Sequence, residues 1–249
     1  FNAQSFGTTD PQFGLDNGFY VFVLPGLKLV LAAVAMLLGV GLVFSVVTHV
    51  LMGGIRITMP VNGRGLFSIT KRCRRQLGIW LMLNMFAWAV RQMIGVFDQL
   101  TVQGSRITGA SYTAVHANIP VTFIMAVLTA ILGVVLGIWL MRSHTLEGQA
   151  SIGVRASAAL KAWRVPVTSI AVVVVVGLVL TVAWPVLLQR FRVNPNAQEM
   201  ESTYIQRNID ATRAAYGLDK LKTEQYKVTD KGEQGALAKE GDTTAQIRL

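Results

Sequence analysis

The chain has 249 residues, 52% of them hydrophobic and only 14% charged, with a formal net charge of +10. That composition excludes an ordinary water-soluble domain and excludes disorder along most of the length. A single cysteine, Cys73, excludes an internal disulfide.

The chain opens on Phe1 rather than Met and reads as a piece of something longer. Residues 1–24 are polar and turn-rich, with Asp10-Pro11 and Asn17-Gly18 as turn signals. Phe19, Tyr20 and Phe22 then cluster before Pro25, which suits an interfacial, extracytoplasmic lead-in.

A first span is expected over about 26–51. Gly39 and Gly41 permit close helix contact there, and Lys28 lies near one end, within reach of the interface. Met52 to Gln76 then reads as a basic loop. It holds Arg56, Arg64, Lys71, Arg72, Arg74 and Arg75 and no acid. The cluster Lys71, Arg72, Arg74 and Arg75 is the candidate contact for anionic lipid. Cys73 sits inside it, as an ordinary cytoplasmic thiol or as a juxtamembrane cysteine open to acylation.

A second span is expected over about 77–97, with Asn84 near its centre and Arg91 towards its end. Asn84 suits a hydrogen bond to a neighbouring helix. Arg91 is the one ionisable residue well inside a span, so it marks either a function or a snorkelling side chain. Asp98, seven residues on, is its nearest candidate partner in sequence. Phe97 to Ile119 reads as a neutral exposed loop.

The third span, about 120–141, carries Gly133 and Gly137 at GxxxG spacing, a helix-packing signal. Arg142 to Val165 forms a second basic loop, with Arg142, Arg155, Lys161 and Arg164 against Glu147; Val154–Trp163 suits a surface helix. The fourth span, about 166–188, holds no charge and five valines in a row, Val172 to Val176. In water such a run disfavours helix. In lipid the backbone must bond to itself, and helix wins. Trp184 suits the far interface.

After Gln189 the chain turns polar and opens the region 189–249. A helix is expected over about 195–216, with Asn194 as cap, Pro195 at the first helical position and Gly217 as the stop. Tyr204, Ile205, Ile209 and Thr212 would form its apolar face.

Nine of the ten net charges fall in the two loops after the first and third spans. The positive-inside rule puts those loops in the cytoplasm and both ends of the chain outside. It also removes nucleic acid as the partner of the basic charge. The architecture is an all-α membrane protein of four transmembrane helices followed by an extracytoplasmic helical or irregular segment.

No catalytic, cofactor-binding or metal-binding constellation can be assembled. His49, His116 and His144 lack metal-ligand spacing, and no glycine-rich phosphate loop or nucleophile elbow occurs. The chain is expected not to be an enzyme and to need no cofactor. No span carries Asp or Glu, which counts against a proton-coupled carrier built from these four helices.

Three stretches in order, DPQFGLDNGFYVFVLPGLKLV, HVLMGGIRI and NPNAQEMESTYIQRNIDATRAAYGL, resemble the large multi-pass membrane proteins of uncharacterised protein family 0182, notably actinobacterial. The resemblance covers nearly the whole chain, and Asn194 to Leu218 is its most specific part. It implies further N-terminal helices and a large extracytoplasmic portion in the longer protein, a plasma-membrane location, and no catalytic residues to carry over. The expected role is a scaffold or subunit of an envelope membrane complex with other membrane or envelope proteins as partners. A transporter or channel component is the alternative.

Overall fold

Residues 3–57, 67–101, 109–143, 152–218 and 221 are described by the computed structural model, with backbone alone at 57, 67, 68 and 152–163. Arg64, Arg106, His144, Glu147 and nearly all of the chain beyond Leu218 lie outside these residues. The chain divides into two compact units, Phe1–Ile209 and Asp210–Leu249.

Among the described residues four helices are long and apolar enough to cross a bilayer: Phe19–Leu51, Lys71–Leu100, Ala114–Arg142 and Arg164–Val193. At 1.5 Å per residue, a 30-residue helix is about 45 Å long, more than the ~30 Å hydrocarbon core requires. Their α-helical bodies are α1 (Leu24–Leu51), α2 (Lys71–Gly95), α3 (Ile119–Arg142), α4 (Ile152–Leu178) and the short α5 (Trp184–Leu187). The fold is thus an all-α membrane protein, with one small hairpin and a polar helix, α6 (Ala197–Ala215), added.

Among the described residues four π-helical segments interrupt these helices, at Phe19–Val23, Ala114–Asn118, Val179–Ala183 and Leu188–Val193. Each ends two residues before a proline: Pro25, Pro120, Pro185 and Pro195. A proline ring cannot donate and crowds the carbonyl four residues back. Widening the preceding turn removes that crowding. Leu24, Ile119, Trp184 and Asn194 each donate their N–H five residues back, to Phe19, Ala114, Val179 and Gln189. Pro166 differs, since α4 runs through it as unbroken α-helix.

Neighbouring spans are antiparallel and side by side. Asn84 and His49 link the second span to the first, through the Leu38 carbonyl and Gln76. Gly133 and Gly137 of α3 face Met85 and Met82 of α2, and Gly177 meets Met125. Each span packs chiefly on its chain neighbour, and the tightest pair is α2 with α3. The result is an open row, first to fourth, and not a closed bundle. Leucine, valine and phenylalanine side chains stand exposed along both edge spans, including Leu29, Leu37 and Phe44 in α1 and Val174, Leu178 and Val182 in the fourth span.

The row has a basic end and an aromatic end. At the basic end, β1 (Ile55–Ile57) and β2 (Phe67–Ile69) form an antiparallel hairpin with Ile55 opposite Ile69. Sequence reading takes this stretch as loop, because three-residue strands carry too short an alternation to register. The hairpin seals a small core of Ile69, Cys73 and Leu77 with Leu42, Ile55 and Leu140.

Three boundaries differ from expectation. The second span starts at Lys71, not near residue 77, so Lys71–Gln76 are helix and not loop. The segment 152–163 is continuous with the fourth span, so no separate surface helix precedes Pro166. At the aromatic end, α6 starts at Ala197. The Asn194 side chain accepts from Gln189 Nε2 at 3.0 Å and does not cap it.

The second unit is described only through the last turns of α6, to Leu218, and at Leu221. Gly217 closes the helix at φ +67°, a left-handed conformation that glycine adopts without strain.

Candidate functional site

The basic end is built on the start of α2. Thr70 caps the helix, its side chain accepting from the Cys73 N–H at 3.5 Å. The first turn has no acid and carries Lys71, Arg72, Arg74 and Arg75. Cations at a helix N-terminus oppose its dipole, so these charges are not placed for helix stability.

Lys71, Arg72 and Arg75 are exposed. Arg74 is 1% exposed, and its guanidinium donates to the Ser143 carbonyl just past the end of α3. A cation at a helix C-terminus is favourable, and a buried one needs such partners. Arg74 is therefore a structural pin between α2 and α3 and is not available to lipid headgroups, contrary to the sequence reading. Cys73 is likewise fully buried, which removes acylation as its role.

Midway along the row, Asn84 Nδ2 donates to the Leu38 carbonyl at 3.2 Å and to Trp80 at 2.8 Å. Gln92 donates to Thr129 at 3.2 Å on the other side of α2. These polar contacts pin α2 between its neighbours. A carbon added at Gly137 would meet Met82 and would lie 2.9 Å from the Gly78 carbonyl. The reverse holds at Gly78, 2.9 Å from the Gly137 carbonyl, so the two backbones approach directly through these glycines.

Arg91 is exposed and has no hydrogen bond or ion pair among the described residues. Asp98 does not reach it, because Asp98 is paired with Lys28 of the first span. From α2 the helix tightens to 3₁₀ over Val96–Leu100, which turns Asp98 towards α1. Arg91 lies about 13 Å from the end of its span along the axis, within snorkelling reach of the interface.

The aromatic end is knit by side chains from distant parts of the chain. Phe97 receives Phe13, Phe19 and Tyr20, with ring centroids at 5.0, 5.4 and 6.5 Å. The lead-in folds back to do so, organised by two aspartates. Asp10 accepts from the Gln12, Phe13 and Leu15 N–H groups and from the Tyr20 hydroxyl. Burial alone would raise its pKa, but those donors hold its carboxyl below the usual range. Asp16 is held low by the Ser5 hydroxyl and by the Phe6, Gly7 and Gly18 N–H groups. Both carboxylates are occupied by donors pointing at them, so neither forms a cation site.

The helix α6 lies against the start of the third span. Glu201, 6% exposed, accepts from the Tyr112 N–H at 3.1 Å. Tyr204 packs edge-on to Tyr112, which stacks on His116 at 4.1 Å. Burial pushes the Tyr204 phenol up. The docking face runs through Glu201, Tyr204 and Ile205, while Ile209 is 39% exposed. Sequence reading misses Glu201, because an acid in the first turns of a helix normally reads as dipole compensation. It misses Lys28–Asp98 because 70 residues separate the partners.

His49 lies at the basic end and His116 at the aromatic end. Among the described residues no three His, Cys, Asp or Glu side chains converge on a metal-sized point.

A family model described as Uncharacterised protein family (UPF0182) matches residues 1–249. A UPF0182 protein of Bifidobacterium adolescentis is 76% identical over the whole chain, and one of Kocuria rhizophila is 37% identical. The UPF0182 protein DIP0733 of Corynebacterium diphtheriae is 34% identical, again over the whole chain. The chain spans 23% of the first two relatives and 24% of the third. No solved structure matches it.

Proposed function

Because the chain belongs to the uncharacterised protein family UPF0182, we propose that it is the four-span part of an integral plasma-membrane protein that acts as a scaffold or subunit of an envelope complex. The observation that carries this reading is the open row. Its spans enclose no polar path among the described residues, and both edge spans present bare apolar faces to lipid or to other helices. On this reading the chain supplies membrane anchorage and contact surface, and it has no catalytic role.

The basic end faces the cytoplasm, where Lys71, Arg72 and Arg75 meet anionic lipid. The aromatic end and α6 face outwards and continue into the remainder of the longer protein, where envelope proteins are its partners. The cationic surface is committed to the membrane and not to nucleic acid.

One observation favours the alternative, a transporter or channel component: three of the π segments, Phe19–Val23, Ala114–Asn118 and Leu188–Val193, lie at the aromatic end, and π turns recur at functional sites. Capture of the full-length protein from mild detergent, with quantification of co-purifying membrane proteins, separates the two. A stoichiometric envelope partner supports the scaffold. A protein that purifies alone and conducts solute in liposomes supports the transporter.

A further inference from the structure

We propose that the groove between α2 and α3 is a binding site for one anionic glycerophospholipid, its phosphate on Arg72, Arg75 and Arg142 and one acyl chain in the groove. The groove has a volume of about 490 Å³ and is lined by Met82, Leu83 and Phe86 of α2 and by Ile131, Val134 and Val135 of α3. Every lining side chain is apolar.

The placement of the arginines relative to the groove carries the proposal. On α2, Arg72, Arg75, Ile79, Met82 or Leu83, and Phe86 follow one another at spacings of three or four, so they share one helix face. On α3, Ile131, Val134 or Val135, Ile138 and Arg142 do the same. Ile79 is 45% and Ile138 41% exposed, so the apolar surface continues from the groove to the arginines. Arg72, Arg75 and Arg142 are exposed, and none has an ion pair or hydrogen bond among the described residues. Arg74 of the same cluster is turned inwards and contributes nothing here.

The depth fits one leaflet. Arg75 and Phe86 are about 16 Å apart along α2, and half a hydrocarbon core is about 15 Å. Three cations at the mouth of an apolar slot of that depth match a phosphate headgroup with its acyl chain. A second copy of this chain does not match, because the one acid in its four spans, Asp98, lies at the opposite end and is paired with Lys28. The proposal is independent of the scaffold reading and of which side of the membrane the basic end faces.

The test is native mass spectrometry of delipidated full-length protein titrated with dioleoyl phosphatidylglycerol or dioleoyl phosphatidylcholine. Each arginine beside an anionic headgroup is worth about five-fold in binding. The expected result is one phosphatidylglycerol adduct held at least about ten-fold tighter than phosphatidylcholine. Arg72→Gln, Arg75→Gln and Arg142→Gln together should abolish that preference, and Val134→Phe should weaken both lipids. Arg56→Gln, on β1 and bonded back to the Gly53 carbonyl, should change little, and glycerol 3-phosphate should not displace the lipid. An adduct indifferent to Val134→Phe, displaced by glycerol 3-phosphate, or lost equally in Arg56→Gln would overturn the site. So would the absence of any tightly held phosphatidylglycerol.

Discussion

Lys28 and Asp98 form an ion pair that closes the aromatic end of the first two spans, across 70 residues of sequence. Both side chains are more than a third exposed, so the pair is screened and worth at most about 1 kcal/mol. A double-mutant cycle with Lys28→Gln and Asp98→Asn in full-length protein should give a coupling of about 0.5 kcal/mol in thermal unfolding. Arg91→Gln should show no coupling to Asp98→Asn. A measurable Arg91–Asp98 coupling would reverse the assignment.

The glycine contact between α2 and α3 is the tightest in the row. Gly137→Ala places a carbon against Met82 and the Gly78 carbonyl, and overpacking of this kind costs about 1–3 kcal/mol. Gly39→Ala meets only Asn84 Oδ1, at 3.9 Å, and should be neutral. Equal melting temperatures for the two variants would contradict the backbone contact.

Arg74 and Arg72 are two residues apart and should behave oppositely. Arg74→Ala orphans the Ser143 carbonyl and opens a void, a loss of about 2–4 kcal/mol. Arg72→Ala, on the surface, should stay within about 0.5 kcal/mol. Comparable losses from both would show that Arg74 is not the pin described here.

These two arginines also show where the sequence stops being legible. Hydropathy alone places all four spans, because a bilayer demands long uncharged helices whatever the local propensity. The GxxxG pair in α3 is visible as spacing, but its facing residues, Met82 and Met85, are not. Four cations within five residues read as one exposed cluster, and only the turn of α2 separates Arg74 from its neighbours. The Asp98 partner, the buried Glu201 and the hairpin depend on contacts between distant segments. The π turns are the exception. Each ends two residues before a proline, a local signal in the sequence, although Pro166 inside unbroken α-helix shows that a proline alone does not suffice.

The lead-in should loosen in acid. Asp10 has a folded pKa below its ordinary value, so its contribution to stability is complete above the ordinary value of 3.8 and is lost as pH falls through the folded value. Near-ultraviolet circular dichroism, which reports the Phe13, Phe19 and Tyr20 packing on Phe97, should weaken below about pH 4. Asp10→Asn should show a weaker signal at neutral pH with less further loss in acid. An unchanged acid transition in that variant would remove Asp10 as the cause.

The central claim is a row of four membrane-crossing helices with its basic end in the cytoplasm. The most direct measurement is labelling of single cysteines in intact cells by a membrane-impermeant thiol reagent, in full-length protein carrying Cys73→Ala. Met52→Cys sits at the basic end and is 84% exposed there; Thr203→Cys sits on the exposed side of α6. The account predicts that Thr203→Cys labels in intact cells and Met52→Cys only after the membrane is permeabilised. Labelling of Met52→Cys in intact cells, with Thr203→Cys protected, would invert the orientation, and equal labelling of both would contradict the membrane-crossing row itself.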